Sequence, residues 1–327
     1  MQNPVISSIL AILFGPLATF GLYWLLNKLV SLIPNQKLRN ALEPYAFIGV
    51  VLLLVGGLLV GPTIQTMLFS FMNADSTEWI GFKNYVKLFQ DPNFIITVRN
   101  NILWIAVVPL VTIILGLFIA TLTDKLGKAR EQIFKSIIFM PMAISFVAAS
   151  SIWRLNYMWD AGDTQIGTLN AIIKALGGTP VNWIQTDTFA LNSLALMVIV
   201  IWANAGFAMT LLSAAVKAVP EETIEAAAID GATGAQAFFR VVLPQIWGTV
   251  VSVFITVLIS SMKIFDVIWG MTGGNFRTNV LGVDFFLQYF IYLNTGKASA
   301  IVVLLMVAII PIMIYQIRSY RKQEEIR

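Results

Sequence analysis

Cysteine and histidine are both absent from the 327 residues of this chain. Without cysteine the chain can form no disulfide and has no thiol nucleophile, and without histidine it has no imidazole for acid–base chemistry near neutral pH. The usual protein ligands of zinc are therefore missing, and we expect no metal site. Charged residues make up only 12% of the sequence, and the 21 lysines and arginines form no single basic run. These absences argue against an enzyme and against nucleic acid as a partner.

Hydrophobic residues dominate instead, at 58% of the sequence, and the mean hydropathy is +0.81. A helix needs about 20 apolar residues to cross the hydrocarbon core of a membrane. Runs of sufficient length predict seven spans, at residues 5–26, 45–70, 102–122, 136–158, 189–213, 246–268 and 298–317. The first run lacks the basic start and the cleavage site of a signal peptide, so we expect a retained helix, although Pro16 could split it into a re-entrant hairpin. The sequence thus predicts an all-α polytopic membrane protein.

The distribution of lysine and arginine predicts the orientation of these spans. If the C-terminus is cytoplasmic, the inner segments carry 13 of these cations and the outer segments carry 6. Cytoplasmic loops of membrane proteins carry the excess of positive charge. We therefore expect a cytoplasmic C-terminus and, with seven spans, an N-terminus on the outside.

The loop at residues 214–245 lies inside in this topology and contains the pattern of two short helices. Pro220 suits position N1 of a first helix, and Gly231 ends that helix. A second helix is expected from Ala232 to Val242, and Pro244 should stop or kink it before the next span. The second helix would present an apolar face formed by Ala235, Phe238, Phe239 and Val242. Such a compact loop predicts docking into a groove of another protein. The alternative is an amphipathic helix lying flat on lipid, but its polar face has few cations for that role.

The same loop resembles the signature loop of binding-protein-dependent ABC importer permeases. That signature is EAA, three residues, Gly, nine residues, and Ile-x-Leu-Pro. The matching residues here are Glu225, Ala226, Ala227, Gly231, Val241 in place of Ile, Leu243 and Pro244, with Asp230 directly before the glycine. The resemblance implies that this loop docks into a cleft of a cytoplasmic ATPase subunit, with the glutamate near the interface and the glycine making the turn.

The resemblance covers almost the whole chain. The segments "GFKNYVKLFQDPNF", "IIFMPMAISFVAASSIWR" and "KIFDVIWGMTGGNFRT" are similar to the carbohydrate-uptake branch, and most similar to α-glucoside and glucosylglycerol permeases. It implies a six-span permease core at residues 45–327, preceded by an additional N-terminal transmembrane helix and linker at residues 1–44. It also implies a bacterial inner-membrane complex with a second permease, two ATPase subunits and an extracytoplasmic sugar-binding protein. ATP and Mg²⁺ would then be bound by the ATPase and not by this chain.

The sequence contains no P-loop, the nucleotide-binding pattern of many ATPases, which agrees with this expectation. Its two Gly-Lys pairs, Gly127-Lys128 and Gly296-Lys297, are each followed by alanine and lack the preceding glycine of a P-loop. The rival interpretation is an ATP-independent secondary transporter or a channel. It predicts function without partners, but we find no internal inverted repeat of the kind common in secondary transporters.

A polar stripe in the sixth predicted span is the main candidate for a substrate path. Its members recur every three or four residues and so lie on one side of a helix: Thr249, Ser252, Thr256, Ser260 and Lys263. The stripe predicts either the lining of a water-filled cavity or hydrogen bonds between packed helices. Lys263 favours the cavity, because a cation within a span needs water or a partner, and Asp266 is a possible partner.

Further polar and aromatic residues could contact a sugar. They are Arg154, Asn156 and Tyr157 near the outer end of the fourth span, and Trp202 with Asn204 within the fifth. Three other tryptophans, Trp153, Trp159 and Trp269, are equally well explained as residues of the membrane interface. The segment "TGGNF" at 272–276 predicts a flexible outer turn.

Overall fold

The computed structural model of the chain describes residues 4–160 and 167–325. Within these residues the backbone is helical apart from turns and one isolated antiparallel bridge between Met72 and Trp79. The α-helices are α1 (Pro4–Ser31), α2 (Gln36–Val55), α3 (Gly61–Phe69), α4 (Lys83–Gln90), α5 (Pro92–Asp124), α6 (Lys128–Phe139), α7 (Phe146–Asn156), α8 (Thr168–Ala175), α9 (Leu191–Lys217), α10 (Glu221–Ile229), α11 (Gly234–Ala237), α12 (Leu243–Gln245), α13 (Trp247–Met262), α14 (Asp266–Met271), α15 (Leu281–Phe286) and α16 (Thr295–Glu325). Short π-helical segments at Gly56–Val60, Phe238–Val242 and Leu287–Ile291 connect some of them, and 3₁₀ turns lie at Met140–Ala143 and Thr188–Ala190.

Six of the seven predicted spans correspond to helices long and apolar enough to cross a membrane. Four are continuous, at Ile48–Phe69, Pro92–Asp124, Thr188–Lys217 and Thr295–Ser319. The fourth predicted span is not one continuous helix, because α6 and α7 meet at 103°. The α11–α12 segment meets α13 at 73°, at the start of the sixth predicted span, where Pro244 was expected to stop or kink the loop helix. The first predicted span lies in α1, which continues through Pro16 and therefore makes no hairpin there.

Proline and a local cap explain the first bend. Pro141 lies in the 3₁₀ turn that follows α6, and Ser145 then accepts a hydrogen bond from the Ala148 N–H and so starts α7. A serine at this position begins a new helix, since its side chain satisfies a backbone donor that has no partner within the helix. The span is therefore built as two helices with separate ends.

The chain forms two compact units, which divide between Leu68 and Phe69. In the first unit α1 and α2 pack against each other, with Gly49 facing Leu26. Most side chains of the span Ile48–Phe69 are apolar and exposed. An exposed surface of this composition is suited to hydrocarbon rather than water.

The second unit is organised around α5, which packs against α9 and α13. One apolar cluster lies where α7 and α14 join these helices, and it includes the buried Trp104, Leu196 and Ile268. A second cluster is built from the end of α5, the end of α9 and the start of α13, together with residues of the 214–245 loop. The loop is therefore packed onto the ends of the long helices.

Candidate functional site

The turn at Gly231 joins two helices, as the sequence predicts. Gly231 has a φ of +80°, and the N–H groups of Gly231 and Ala232 donate to the carbonyls of Ala228 and Ala227 at 3.0 and 2.9 Å. This pair of bonds is the Schellman arrangement, which satisfies carbonyls at the end of a helix and favours glycine. Helix α10 thus ends in a defined turn after Asp230. Pro220 lies at the N-cap of α10, one position before the predicted N1.

The second helix of the loop begins two residues later than predicted, because of a capping box that the sequence analysis missed. Thr233 Oγ1 accepts from the Gln236 N–H, and Gln236 Oε1 accepts from the Thr233 N–H. The pattern T-x-x-Q at 233–236 is the sequence signature of a capping box. The helix then widens into the π segment Phe238–Val242, continues as α12 and bends at Ile246. The bend therefore follows Pro244 by two residues, and the absent N–H of this proline removes one hydrogen bond of the regular helical ladder.

The predicted apolar face of the second helix is divided between the chain's own core and its surface. Val242 is buried and Phe238 half-buried, and both belong to the cluster that includes Leu212 of α9 and Val250 of α13. Phe239 points outward with 64% of its surface exposed, and Ala235 is exposed as well. The prediction of one continuous outward ridge was therefore wrong. The π segment is the reason, since its wider turn changes the angular spacing of the residues.

The surface of the loop combines exposed apolar groups with acidic side chains. Ile229, at the end of α10, is 86% exposed, and Phe239 is the second large apolar residue on this surface. Between Glu221 and Pro244 the exposed charged residues are Glu221, Glu222, Glu225, Asp230 and Arg240. Of the signature residues, Ala226 and Pro244 are also exposed, whereas Ala227, Val241 and Leu243 are half-buried. A surface with four acids and one arginine is poorly suited to anionic lipid.

The polar stripe of α13 faces away from the core of its own unit. Val253, Ile255 and Val257 are buried, whereas Thr256 and Ser260 are exposed and Ser252 is half-buried. The hydroxyls of Ser252 and Thr256 donate to carbonyls one turn back, those of Gly248 and Ser252, at 2.8 and 2.9 Å. Hydrogen bonds of this kind satisfy the hydroxyls within the helix itself.

Lys263 is exposed and ends α13, and Asp266 begins α14, so the two residues do not share a helix. Among the described residues, the ion pairs do not include Lys263 with Asp266. The stripe therefore ends in an exposed cation at the C-terminus of α13.

The outer candidates have different environments. Tyr157 is only 3% exposed, its hydroxyl donates to the Ala195 carbonyl at 2.8 Å, and its ring lies beside Trp153. It is thus a core residue rather than an exposed contact for a sugar. Arg154 is exposed and donates to the Gly270 carbonyl of α14.

Two asparagines and one tryptophan complete the set of candidate sugar contacts. The side-chain amides of Asn156 and Asn204 donate to the carbonyls of Ile152 and Val200 within their own helices. The half-buried Trp202 makes an edge contact with Trp153, at a centroid separation of 5.7 Å. These contacts fix the side chains but bring no compact cluster of polar groups together.

Three buried asparagines were missed in the sequence analysis and hold the loop at 272–280. Asn100 Nδ2 donates to the Arg277 and Asn279 carbonyls at 2.7 and 2.8 Å, and Asn192 Nδ2 donates to the Phe276 carbonyl at 2.7 Å. Asn101 Oδ1 accepts from the Leu281 N–H at 2.7 Å. The loop is therefore anchored by long-range bonds and is not the unsupported turn that was predicted. The sequence feature that could have predicted this anchoring is the presence of asparagines within an otherwise apolar helix.

Comparison with known proteins identifies the family. Residues 112–323 match the family described as "Binding-protein-dependent transport system inner membrane component". The osmoprotective compounds uptake permease protein GgtC of Synechocystis is 44% identical, and the alignment covers 84% of this chain and 98% of that protein. The alpha-glucoside transport system permease protein AglF of Rhizobium meliloti is 39% identical, with 98% and 99% covered.

The fold also matches a solved structure. A chain from the crystal structure of a bacterial ABC transporter that imports the polysaccharide alginate superimposes with a TM-score of 0.74 at 20% identity. The superposition covers 88% of this chain and 99% of that chain. The family match, the two relatives and this shared fold show that the chain belongs to the binding-protein-dependent inner-membrane components, the permeases of ABC importers.

Proposed function

We propose that this chain is one permease subunit of an ATP-driven importer for a sugar or a glucoside-type solute. Two relatives that align over most of this chain are an osmoprotectant permease and an alpha-glucoside permease, which supports this substrate class. The chain forms half of a translocation pore, and a second, similar permease forms the other half. It binds no ATP, since ATP and Mg²⁺ belong to two cytoplasmic ATPase subunits.

The geometry of the 214–245 loop is the observation that best supports this proposal. The loop exposes Ile229 and Phe239 on its surface beside exposed acids, and its buried side is packed onto the ends of α5, α9 and α13. A partner with an apolar cleft and a basic rim would complement this surface. Closure of the ATPase subunits then moves the loop, and the loop moves the spans.

An extracytoplasmic binding protein delivers the solute to the opposite side of the membrane. A chain similar to this one belongs to an alginate transporter whose structure contains a periplasmic protein carrying an alginate pentasaccharide. In our proposal the solute then passes along the stripe of Ser252, Thr256, Ser260 and Lys263. Arg154 and Asn156 contribute polar contacts near the outer side, and Trp202 and Asn204 contribute aromatic and polar contacts within the fifth span.

Purification of the tagged chain from its native membrane in mild detergent tests this function. We expect a second permease and a P-loop ATPase to be recovered with it, and reconstituted complexes to take up a labelled glucoside only when ATP is present. Recovery of the chain alone, with uptake that needs no ATP, would contradict the proposal and favour the secondary transporter. Recovery of the complex with no uptake of any glucoside would retain the importer but exclude the substrate class.

A further inference from the structure

We infer that Glu131 is a positioning residue that holds the first half of the bent fourth span against the inner end of α9. Movement of the 214–245 loop is thereby passed to this span. The inference rests on the proposed function, because it assigns a role within ATP-driven coupling. Neither the signature loop nor the polar stripe contains this residue.

Glu131 lies at the centre of a small ionic network. Its Oε2 accepts a hydrogen bond from Lys217 Nζ at 2.8 Å, and its Oε1 lies 2.7 Å from the same ammonium in an ion pair. Oε1 also accepts from Lys135, one turn further along α6. Lys135 in turn donates to the Ser213 hydroxyl of α9. Glu131 is only 8% exposed. A carboxylate in this position is stabilised by its two lysines, so the loss of either partner would leave a charge poorly compensated.

The network lies next to the start of the 214–245 loop. Lys217 is the last residue of α9, and Glu221 begins α10 only four positions later. Between them, Val219 is buried in the apolar cluster that also holds Ile224 of α10 and Val242. A displacement of α10 therefore reaches Lys217 through a short, packed connection, and Glu131 ties Lys217 to α6.

A second attachment between α6 and α9 lies further into the span. A Cβ atom on Gly206 would lie 2.5 Å from the Ile138 carbonyl oxygen and 2.6 Å from Phe139 Cα, so the α9 backbone is in direct contact with the end of α6. Gly206 and Lys217 are separated by about 16 Å along the α9 axis, at the rise of an α-helix. Two attachments at this separation resist a change in the angle between the helices.

The consequence is that α6 and α9 behave as one lever. Helix α7 follows α6 after the 103° bend and carries Arg154 and Asn156 of the proposed path. If the bonds of Glu131 are lost, the attachment rests on the contact at Gly206 and on the Lys135–Ser213 hydrogen bond, and α6 can pivot more freely on α9. ATP hydrolysis by the partner subunits would then continue without a matching movement of α7.

The test uses the purified complex in proteoliposomes and compares Glu131→Gln with Asp124→Asn. Asp124 is the matched control because it also faces Lys217, but at 3.6 Å and with 40% of its side chain exposed. For Glu131→Gln we expect normal assembly and ATP hydrolysis but roughly tenfold less solute taken up per ATP, within the usual range of coupling free energies. For Asp124→Asn we expect a ratio close to that of the unmodified complex.

A covalent link supplies the second measurement. The chain has no cysteine, so a Lys135→Cys/Ser213→Cys pair can be joined selectively by a short bifunctional thiol reagent. If Glu131 acts by holding α6 on α9, the reagent should restore the uptake ratio of Glu131→Gln in this background. Failure of the cross-linked protein to recover would overturn the inference.

Two further results separate the inference from the proposed function. An unchanged uptake ratio in Glu131→Gln, or a proportional loss of uptake and ATP hydrolysis, would overturn the role of Glu131 and leave the importer intact. If the unmodified complex itself shows no ATP-dependent uptake, the proposed function fails, and the inference fails with it.

Discussion

Gly231 has a left-handed backbone conformation, yet a Cβ atom built on it would meet no other atom within 4 Å. A substitution there is therefore opposed by backbone strain and not by steric obstruction within the chain. Residues other than glycine pay about 1–2 kcal/mol in this conformation, and asparagine pays less because it tolerates it better. The turn needs glycine for its φ angle.

The first prediction concerns substitutions at this position. We expect Gly231→Asn to retain most ATP-dependent uptake, Gly231→Ala to lose part of it and Gly231→Val to lose most, in the order of their strain at positive φ. Uptake by complexes with equal ATPase content measures this order. Equal activity of the asparagine and valine variants would show that the φ of the turn does not matter for coupling.

At the scale of single residues, the fixed spacing of the signature made the loop residues predictable. The directions and the burial of other side chains were not predictable, because they depend on local helix geometry and on tertiary contacts. Glu225 and Gly231 were identified from a long pattern whose elements have defined separations. The inward direction of Phe238 and Val242 was not predicted, because the prediction assumed 3.6 residues per turn and the π segment does not keep that period. Tyr157 was misassigned for another reason, since burial depends on tertiary contacts that its own span does not contain.

At the scale of elements, the capping box at Thr233 should control the order of the second loop helix. Thr233→Ala removes one hydrogen bond of the box, a change that typically costs about 1 kcal/mol. We expect faster amide hydrogen exchange at Gly234–Gln245 in the purified chain, because α11 has only four residues before the π segment.

Two controls make this second prediction specific. Gln236→Ala removes the reciprocal bond and should have the same effect, whereas Thr223→Ala alters a hydroxyl in α10 and should leave α11 unchanged. Exchange that stays the same in both cap variants would mean that the contacts of Phe238 and Val242 alone order this helix.

The lengths of the spans and the bend after Pro244 could be predicted, but the bend within the fourth span could not. Hydropathy averages over a run, and the predicted span at 136–158 is apolar on both sides of Pro141, so the 103° angle leaves no trace in the average. Pro141 was the available signal, yet α1, α5 and α16 continue through prolines at 16, 109 and 311. Proline marks a place where a bend is easy, and the neighbouring packing decides whether it occurs.

At the scale of the whole molecule, the predicted topology is directly testable because the chain has no cysteine. Single cysteines at Gln2, Lys87 and Glu222 would each be the sole thiol. We expect an impermeant thiol reagent to label Gln2→Cys and Lys87→Cys in intact spheroplasts, and Glu222→Cys only after the membrane is opened. Labelling of Glu222→Cys in intact spheroplasts would reverse the orientation, and absence of labelling at Gln2→Cys would change the number of crossings.

The resemblance divides the chain after residue 44, whereas the two compact units divide between Leu68 and Phe69, and there is a physical reason why the sequence could not place this boundary. The span Ile48–Phe69 is as apolar as the other spans, but only 6% of it is buried, against 61% for Thr188–Lys217. Both are apolar enough for a membrane, and composition alone does not say whether a span is covered by lipid, by a neighbouring subunit or by its own chain. The sequence predicted membrane insertion well and internal packing poorly.

The open space around Gly231 has an evolutionary consequence. The turn is held by its own backbone hydrogen bonds, so the exposed residues on either side of it can change without altering the turn. Under the proposed function, Ile229 and Phe239 could then change together with the cleft of a partner ATPase without disturbing the buried side of the loop. A change of ATPase partner would need only surface substitutions on this loop.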